Sequence, residues 1–353
     1  MKEIKINRVF VFLFFTFLIS WGFDWLIIGF GGSSAFRTMS MSPWGMLVPA
    51  LVAIVLQMFF FKDSPIYYQT YKEKPRWIFF GFIIITFLYG ILTLLAAFDP
   101  ESGQIYQGLG SLLYTLWILS VFFIRSQSDE GSFERAGLRL GKVKMAQRFI
   151  GGILLFLLLQ AGFNLLFKLG SFVGKADRIY GLPIPSSLYI PAIIVLFVLV
   201  TVIGVPLSGI AGVFGEEYGW RGFLQSELIK LGNLKGVLLV GLIWGIWHFP
   251  VILRGVHTYP ASLLGLILGT VFFVLWGIIQ GYAVLKTGSI WVAAFMHGLV
   301  NSVYGFLLSY VVKPENKVFS FGIGIYGLIC LLIVVGLILR DPVWKKENGG
   351  IYG

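Results

Sequence analysis

The stretch Gly215-Glu216-Glu217-Tyr218-Gly219-Trp220-Arg221 sets two adjacent carboxylates and a guanidinium inside an otherwise apolar region. Ionisable groups at membrane depth are costly and mark working sites. At about 100° per helical residue, Arg221 falls about 40° from Glu217 but about 140° from Glu216. The i,i+4 ion pair is therefore Glu217 with Arg221, and Glu216 has no helical partner. A carboxylate left in that state in a poorly solvated site becomes a usable general base near neutral pH. Two further polar pairs, Trp244/His248 and His297/Asn301, are each spaced i,i+4 in their own apolar segments, which puts both members on one helix face. They supply imidazole and amide groups suited to orienting water or meeting a developing negative charge. Glu216, His248 and His297 also make up a zinc ligand set with water in the fourth position. The residue types leave both chemistries open.

The elements that must position these groups are membrane helices. The chain has 353 residues, of which 58% are hydrophobic and 12% charged, and a mean hydropathy of +0.88, far from soluble domains. Apolar runs long enough to cross a bilayer are read at 9–30, 43–61, 77–98, 108–124, 149–167, within 188–230, and at 236–253, 261–285, 289–312 and 318–339. The expected fold is an all-α polytopic membrane protein of about ten transmembrane helices. The 188–230 segment is too long for one straight crossing, about 60 Å at about 1.5 Å per residue. A break is expected at Gly204, Pro206, Gly209 or Gly212, giving one crossing and a buried, bent continuation.

Lysine and arginine resist translocation. In the ten-helix reading most of them gather on one side: Lys2, Lys5 and Arg8, the loop from Lys62 to Arg76, the stretch from Arg125 to Arg148, Arg221 to Lys235, Lys286, and the tail from Arg340 to Lys346. Both termini are thus expected in the cytoplasm. The net charge of +11 is a topology signal, and no basic-aromatic stripe points to nucleic acid. Stretch 125–148, with charges of both signs, reads as an amphipathic hairpin or short helix, and Gly181 to Ser187 as an outer boundary. Cys330 is the single cysteine, so no disulfide framework is possible. Asp24 reads as a satisfied or interfacial carboxylate, Gln160 and Gln280 as helix-packing contacts, His257 as a loop histidine, and Gly241, Gly245, Gly277 and Gly281 as close-contact positions. Counted from the inner ends, His248 lies on the order of 18 Å deep and His297 about 12 Å, so the two imidazoles can meet in one pocket.

Glu-Glu-x-x-x-Arg, then aromatic-x-x-x-His, then His-x-x-x-Asn, in that order on successive apolar helices, resembles the CPBP (Abi) family. That family includes the type II CAAX prenyl proteases and bacteriocin-immunity proteins. The resemblance covers residues 190 to 312, and where members commonly have phenylalanine this chain has Trp244, a minor departure in aromatic bulk. It implies an intramembrane endopeptidase with its catalytic core in the C-terminal helices. Glu216 would be the catalytic base, His248 would position and polarise the attacking water, and His297 and Asn301 would stabilise the oxyanion. Glu217, Arg221 and Trp244 would support them. The chain divides accordingly into N-terminal helices of unknown role (1–180), a protease core (188–312), and a last helix with a cytoplasmic tail (313–353). His-Glu-x-x-His is absent, so no cofactor is favoured, with zinc on Glu216, His248 and His297 as the alternative. The expected partners are a membrane-embedded or lipidated peptide or protein substrate and the lipid bilayer, in a bacterial plasma membrane. Competing classes are a non-catalytic immunity or scaffold protein and a proton-coupled transporter, in which buried Glu and His relay protons.

Overall fold

A backbone in hydrocarbon must satisfy its polar groups internally, so apolar runs of this length become helices. The computed structural model describes residues 4–30, 44–99, 101–174, 178–179, 182–254 and 262–345; Lys2, Gly181, His257 and Lys346 lie outside them. Each of the ten expected segments contains a helix among the described residues. Eight are long and apolar enough to cross a membrane. They lie in α1 (Ile6–Phe30), α3 (Arg76–Phe98), α4 (Gly103–Ser126), α6 (Val143–Leu166), the first half of α7 (186–231), α8 (Asn233–Leu253), α9 (Leu263–Thr287) and α10 (Ile290–Tyr310). Two are shorter, α2 (Gly45–Phe60) and α11 (Ile325–Ile338). The 125–148 stretch contains the six-residue α5 (Glu130–Arg135), whose first turn is capped by Asp129 accepting from the Ser132 amide at 2.8 Å.

The expected break in α7 is not an interruption of the helix. The backbone stays helical from 186 to 231 and widens instead to π-type turns at Val200–Gly209, with Pro206 inside, and again at Tyr218–Leu224. Proline removes one amide donor, and a wider turn absorbs that loss while keeping the coil continuous. The expected division by environment holds: the first half of α7 is mainly on the outside of the bundle, whereas the residues from Ile210 onward are almost wholly buried.

Glycine sets the closest approaches. A Cβ on Gly215 would stand 2.4 Å from the Leu47 Cα, and one on Gly219 would stand 2.5 Å from the Pro49 carbonyl carbon. The buried half of α7 therefore lies directly on the backbone of α2. Between α8 and α9, a Cβ on Gly277 would be 3.0 Å from the Gly241 Cα and one on Gly245 would be 3.2 Å from the Thr270 Cα, as expected of close-contact positions. One hydrophobic cluster joins these elements from Phe12 in α1 to Val335 in α11.

The two ends of the bundle differ. At one, Lys5 and Arg8 pair with Asp63, Lys74 donates to the Gln127 carbonyl, Arg139 donates to the Gly288 carbonyl at 2.8 Å, and Lys286 pairs with Asp341 at 2.8 Å. At the other, the antiparallel strands β1 (Gly170–Phe172) and β4 (Val312–Pro314) tie the end of α6 to the end of α10, and the short β2 (Arg178–Ile179) pairs with β3 (Leu182–Pro183). The basic loops grouped by sequence thus meet at one end.

Candidate active site

Because Gly215 and Gly219 face α2, Glu217, about 200° round the helix from Gly215, faces the other way, toward α9 and α10. It is fully buried, and its Oε1 accepts from three side chains: Arg221 Nη1 at 3.1 Å, Gln280 Nε2 at 3.0 Å and His297 Nδ1 at 2.7 Å. The expected i,i+4 pair is present. Arg221 is equally buried, donates from Nη2 to Gln280 Oε1 at 2.7 Å, and lies 4.1 Å from the centre of the Trp244 ring. Gln280, read from sequence as a packing contact, bridges both members of the ion pair and also donates to the Ala293 carbonyl at 3.3 Å. A buried ion pair needs such added hydrogen bonds to offset its desolvation.

Glu216 points elsewhere. One carboxylate oxygen accepts from the Trp244 indole N–H, and the side chain lines a cavity of about 290 Å³. The same cavity is lined by Trp244, His248, His297 and Asn301. All four residues expected to do chemistry therefore come together from α7, α8 and α10, while Glu217 and Arg221 stand behind the wall. The Trp244 departure has a consequence that aromatic bulk does not capture, since phenylalanine has no N–H to hold Glu216.

Both imidazoles are fixed in orientation. His248 lies at the end of the regular coil of α8, its Nδ1 is 2.8 Å from the Trp244 carbonyl, and its ring stacks on Phe273 at 3.8 Å between centres. A carbonyl only accepts, so Nδ1 carries the proton, and in the neutral ring Nε2 is the lone-pair nitrogen. His297 Nδ1 likewise faces the Glu217 carboxylate and donates to it. Asn301 sits one turn further along α10, where Val300–Tyr304 widens to a π turn, and its side chain is exposed. Among the described residues no group of three or more His, Cys, Asp or Glu is gathered so as to hold a metal ion. Glu216, His248 and His297 share a cavity wall without forming a ligand cluster.

The N-terminal helices contribute wall. Ser20, Trp21 and Asp24 of α1 and Met46 of α2 line the same cavity. Trp21 donates to the Trp247 carbonyl at 3.1 Å and Trp247 donates to Ser20 Oγ at 3.0 Å, which fastens α1 to the α8 segment bearing His248. Asp24 pairs with Arg254 at 3.4 Å, in line with a satisfied carboxylate, but also faces the cavity. Sequence reasoning missed the parts played by Gln280, Ser20, Trp21 and Asp24. The available signal was that each is a polar or amphipathic group within an apolar helix.

A profile of the type II CAAX prenyl endopeptidase Rce1-like family matches residues 190–303. Residues 190–303 are CAAX protease-like. The CAAX prenyl protease 2 of Methanococcus maripaludis is 29% identical over 141 residues, 38% of this chain and 49% of that protein. The chain thus spans about half the length of the curated relative it matches. No solved structure matches the chain. The CAAX protease-like region contains Glu216, Glu217, Arg221, Trp244, His248, Gln280, His297 and Asn301, and none of α1 or α2.

Proposed function

We propose that the chain is an intramembrane endopeptidase that hydrolyses a membrane-anchored peptide or protein with water activated by Glu216. The observation supporting it is that Glu216, His248, His297 and Asn301, from three helices, line one cavity. Trp244 occupies one oxygen of Glu216, and the other takes the proton from water as its oxygen adds to the scissile carbonyl. The Nε2 lone pair of His248 accepts a hydrogen bond from that water and fixes its approach. His297 can donate to the oxyanion from Nε2 only as the imidazolium, because Nδ1–H is already engaged by Glu217; the carboxylate behind it supports that charge. The Asn301 amide supplies a second donor. The tetrahedral intermediate collapses by breaking the C–N bond, and Glu216 returns its proton to the departing amine.

The name of the archaeal relative attaches prenylated CAAX substrates to that protein. For this chain the proposed class is a lipidated or membrane-embedded peptide. The test is Glu216→Gln, with membrane peptides compared by mass spectrometry between cells expressing the variant and cells expressing wild type. Uncleaved species should accumulate with the variant while the protein remains folded and inserted. Indistinguishable peptide sets would remove the hydrolase reading in favour of a scaffold.

A further inference from the structure

Resting on the hydrolase reading, we infer that the cavity serves the extracytoplasmic half of the membrane, so that its substrate is a segment whose scissile bond lies there. The residues lining it belong to the half of the bundle remote from the basic end. Asp24 is in the last turns of α1, which starts at the basic end with Arg8. His248 and Val251 fall in the last turns of α8, which starts at Asn233, itself donating to the Val343 carbonyl beside the basic tail. Met46 begins α2, which runs down toward the Lys62 loop, and Ile323 precedes α11, which ends beside Arg340.

Depth agrees with this placement. At about 1.5 Å per residue, His248 lies about 22 Å from the inner end of α8 and Asn301 about 17 Å from that of α10. The midplane of a hydrocarbon layer about 30 Å thick is passed at about 15 Å. His297, one turn nearer the inner end of α10 than Asn301, forms the floor. Because lysine and arginine hold their loops in the cytoplasm, the basic end is the cytoplasmic one and the cavity faces away from it. The walls Trp21, Trp247, Phe273 and Trp276 suit an apolar segment, and the Asp24–Arg254 pair suits its polar flank. A cytoplasmic lipidated C-terminus would have to cross the midplane to reach Glu216.

Two experiments separate this inference from the reading beneath it. In a Cys330→Ser background, which removes the single native thiol, Lys313→Cys at the strand end and Lys74→Cys at the basic end are treated with a membrane-impermeant maleimide. Labelling of Lys313→Cys in intact cells, with Lys74→Cys labelled only after permeabilisation, is expected, and the reverse pattern overturns the inference. Single-span reporters carrying the same cleavable segment in the outer or the inner half are then co-expressed with wild type and Glu216→Gln. Glu216-dependent cleavage confined to the outer reporter is expected. Cleavage confined to the inner reporter overturns the inference and leaves the hydrolase standing, and no cleavage of either sinks both.

Discussion

Replacing Arg221 with methionine tests whether the buried polar cluster behind the cavity is a working part of the structure. The substitution keeps an unbranched apolar stem but removes the donors to Glu217 at 3.1 Å and to Gln280 at 2.7 Å, and the cation over Trp244 at 4.1 Å. Removing one partner of a buried pair costs about 3–5 kcal/mol, because the other charge is left uncompensated. Glu217 keeps Gln280 and His297 as donors, which argues for the low end, about 3 kcal/mol. The lost contact with the Trp244 face adds about 1 kcal/mol. A destabilisation of about 4 kcal/mol is roughly a thousandfold in the folded-to-unfolded ratio, well within reach of an unfolding titration in detergent. The double variant Arg221→Met/Glu217→Gln removes both charges, so its destabilisation should be clearly smaller than the sum of the two single ones. Unfolding of Arg221→Met at the wild-type midpoint, or strict additivity in the double variant, would refute the reasoning.

On the proposed mechanism Asn301→Ala removes one oxyanion donor and should lower kcat by about 10²- to 10³-fold with little change in KM; a change confined to KM would make Asn301 a binding residue. Gly219→Leu drives a side chain into the Pro49 backbone, which no rotamer relieves, and should cost about 1–3 kcal/mol and most activity. By contrast Gly212→Ala, where nothing stands within 4 Å, should retain both on the same melting and turnover assays. Hydrogen bonding from Lys286 holds the Asp341 carboxyl down at about 2. Its contribution is therefore full above the unfolded value of about 3.9 and lost as pH falls through about 2, so the stability gap between wild type and Asp341→Asn should close between those values in acid titration. Elemental analysis of active protein should find no stoichiometric zinc; about one zinc per chain, lost in His248→Ala and His297→Ala, would replace the glutamate-and-water mechanism with a metal one.

Contacts within one helix were legible in the sequence, and contacts between helices were not. The rotation per residue gave Glu217 with Arg221 and left Glu216 to one side, as the structure has them. That arithmetic says nothing across helices. It could not foresee that His297, 80 residues away, would donate to Glu217, that Gln280 would join both charges, or that the Trp244 indole would hold Glu216. The ten apolar segments were visible because hydropathy is local. The state of α7 between Val200 and Gly209 was not, since Pro206 rules out a regular turn without saying whether the chain opens or widens. The place of Asp24 in the cavity wall was not legible for the same reason: a single polar residue in an apolar run shows that it needs a partner, not what lies beside it.

The glycine seam between α7 and α2 bears on how the CAAX protease-like region could be handled apart from the rest of the chain. With Gly215 and Gly219 bare of side chains, the rear of the carboxylate-bearing helix is shaped by the backbone around Leu47 and Pro49, which lies outside the matched residues. A fragment spanning 190–303 alone would leave that seam to lipid or detergent, neither of which reproduces a peptide backbone at that distance. It would also lack the α1 side chains fastened to the Trp247 turn. The cavity wall therefore extends beyond the matched residues, and co-expression of 1–180 with the remainder is the natural way to ask whether two separate chains can rebuild the cavity.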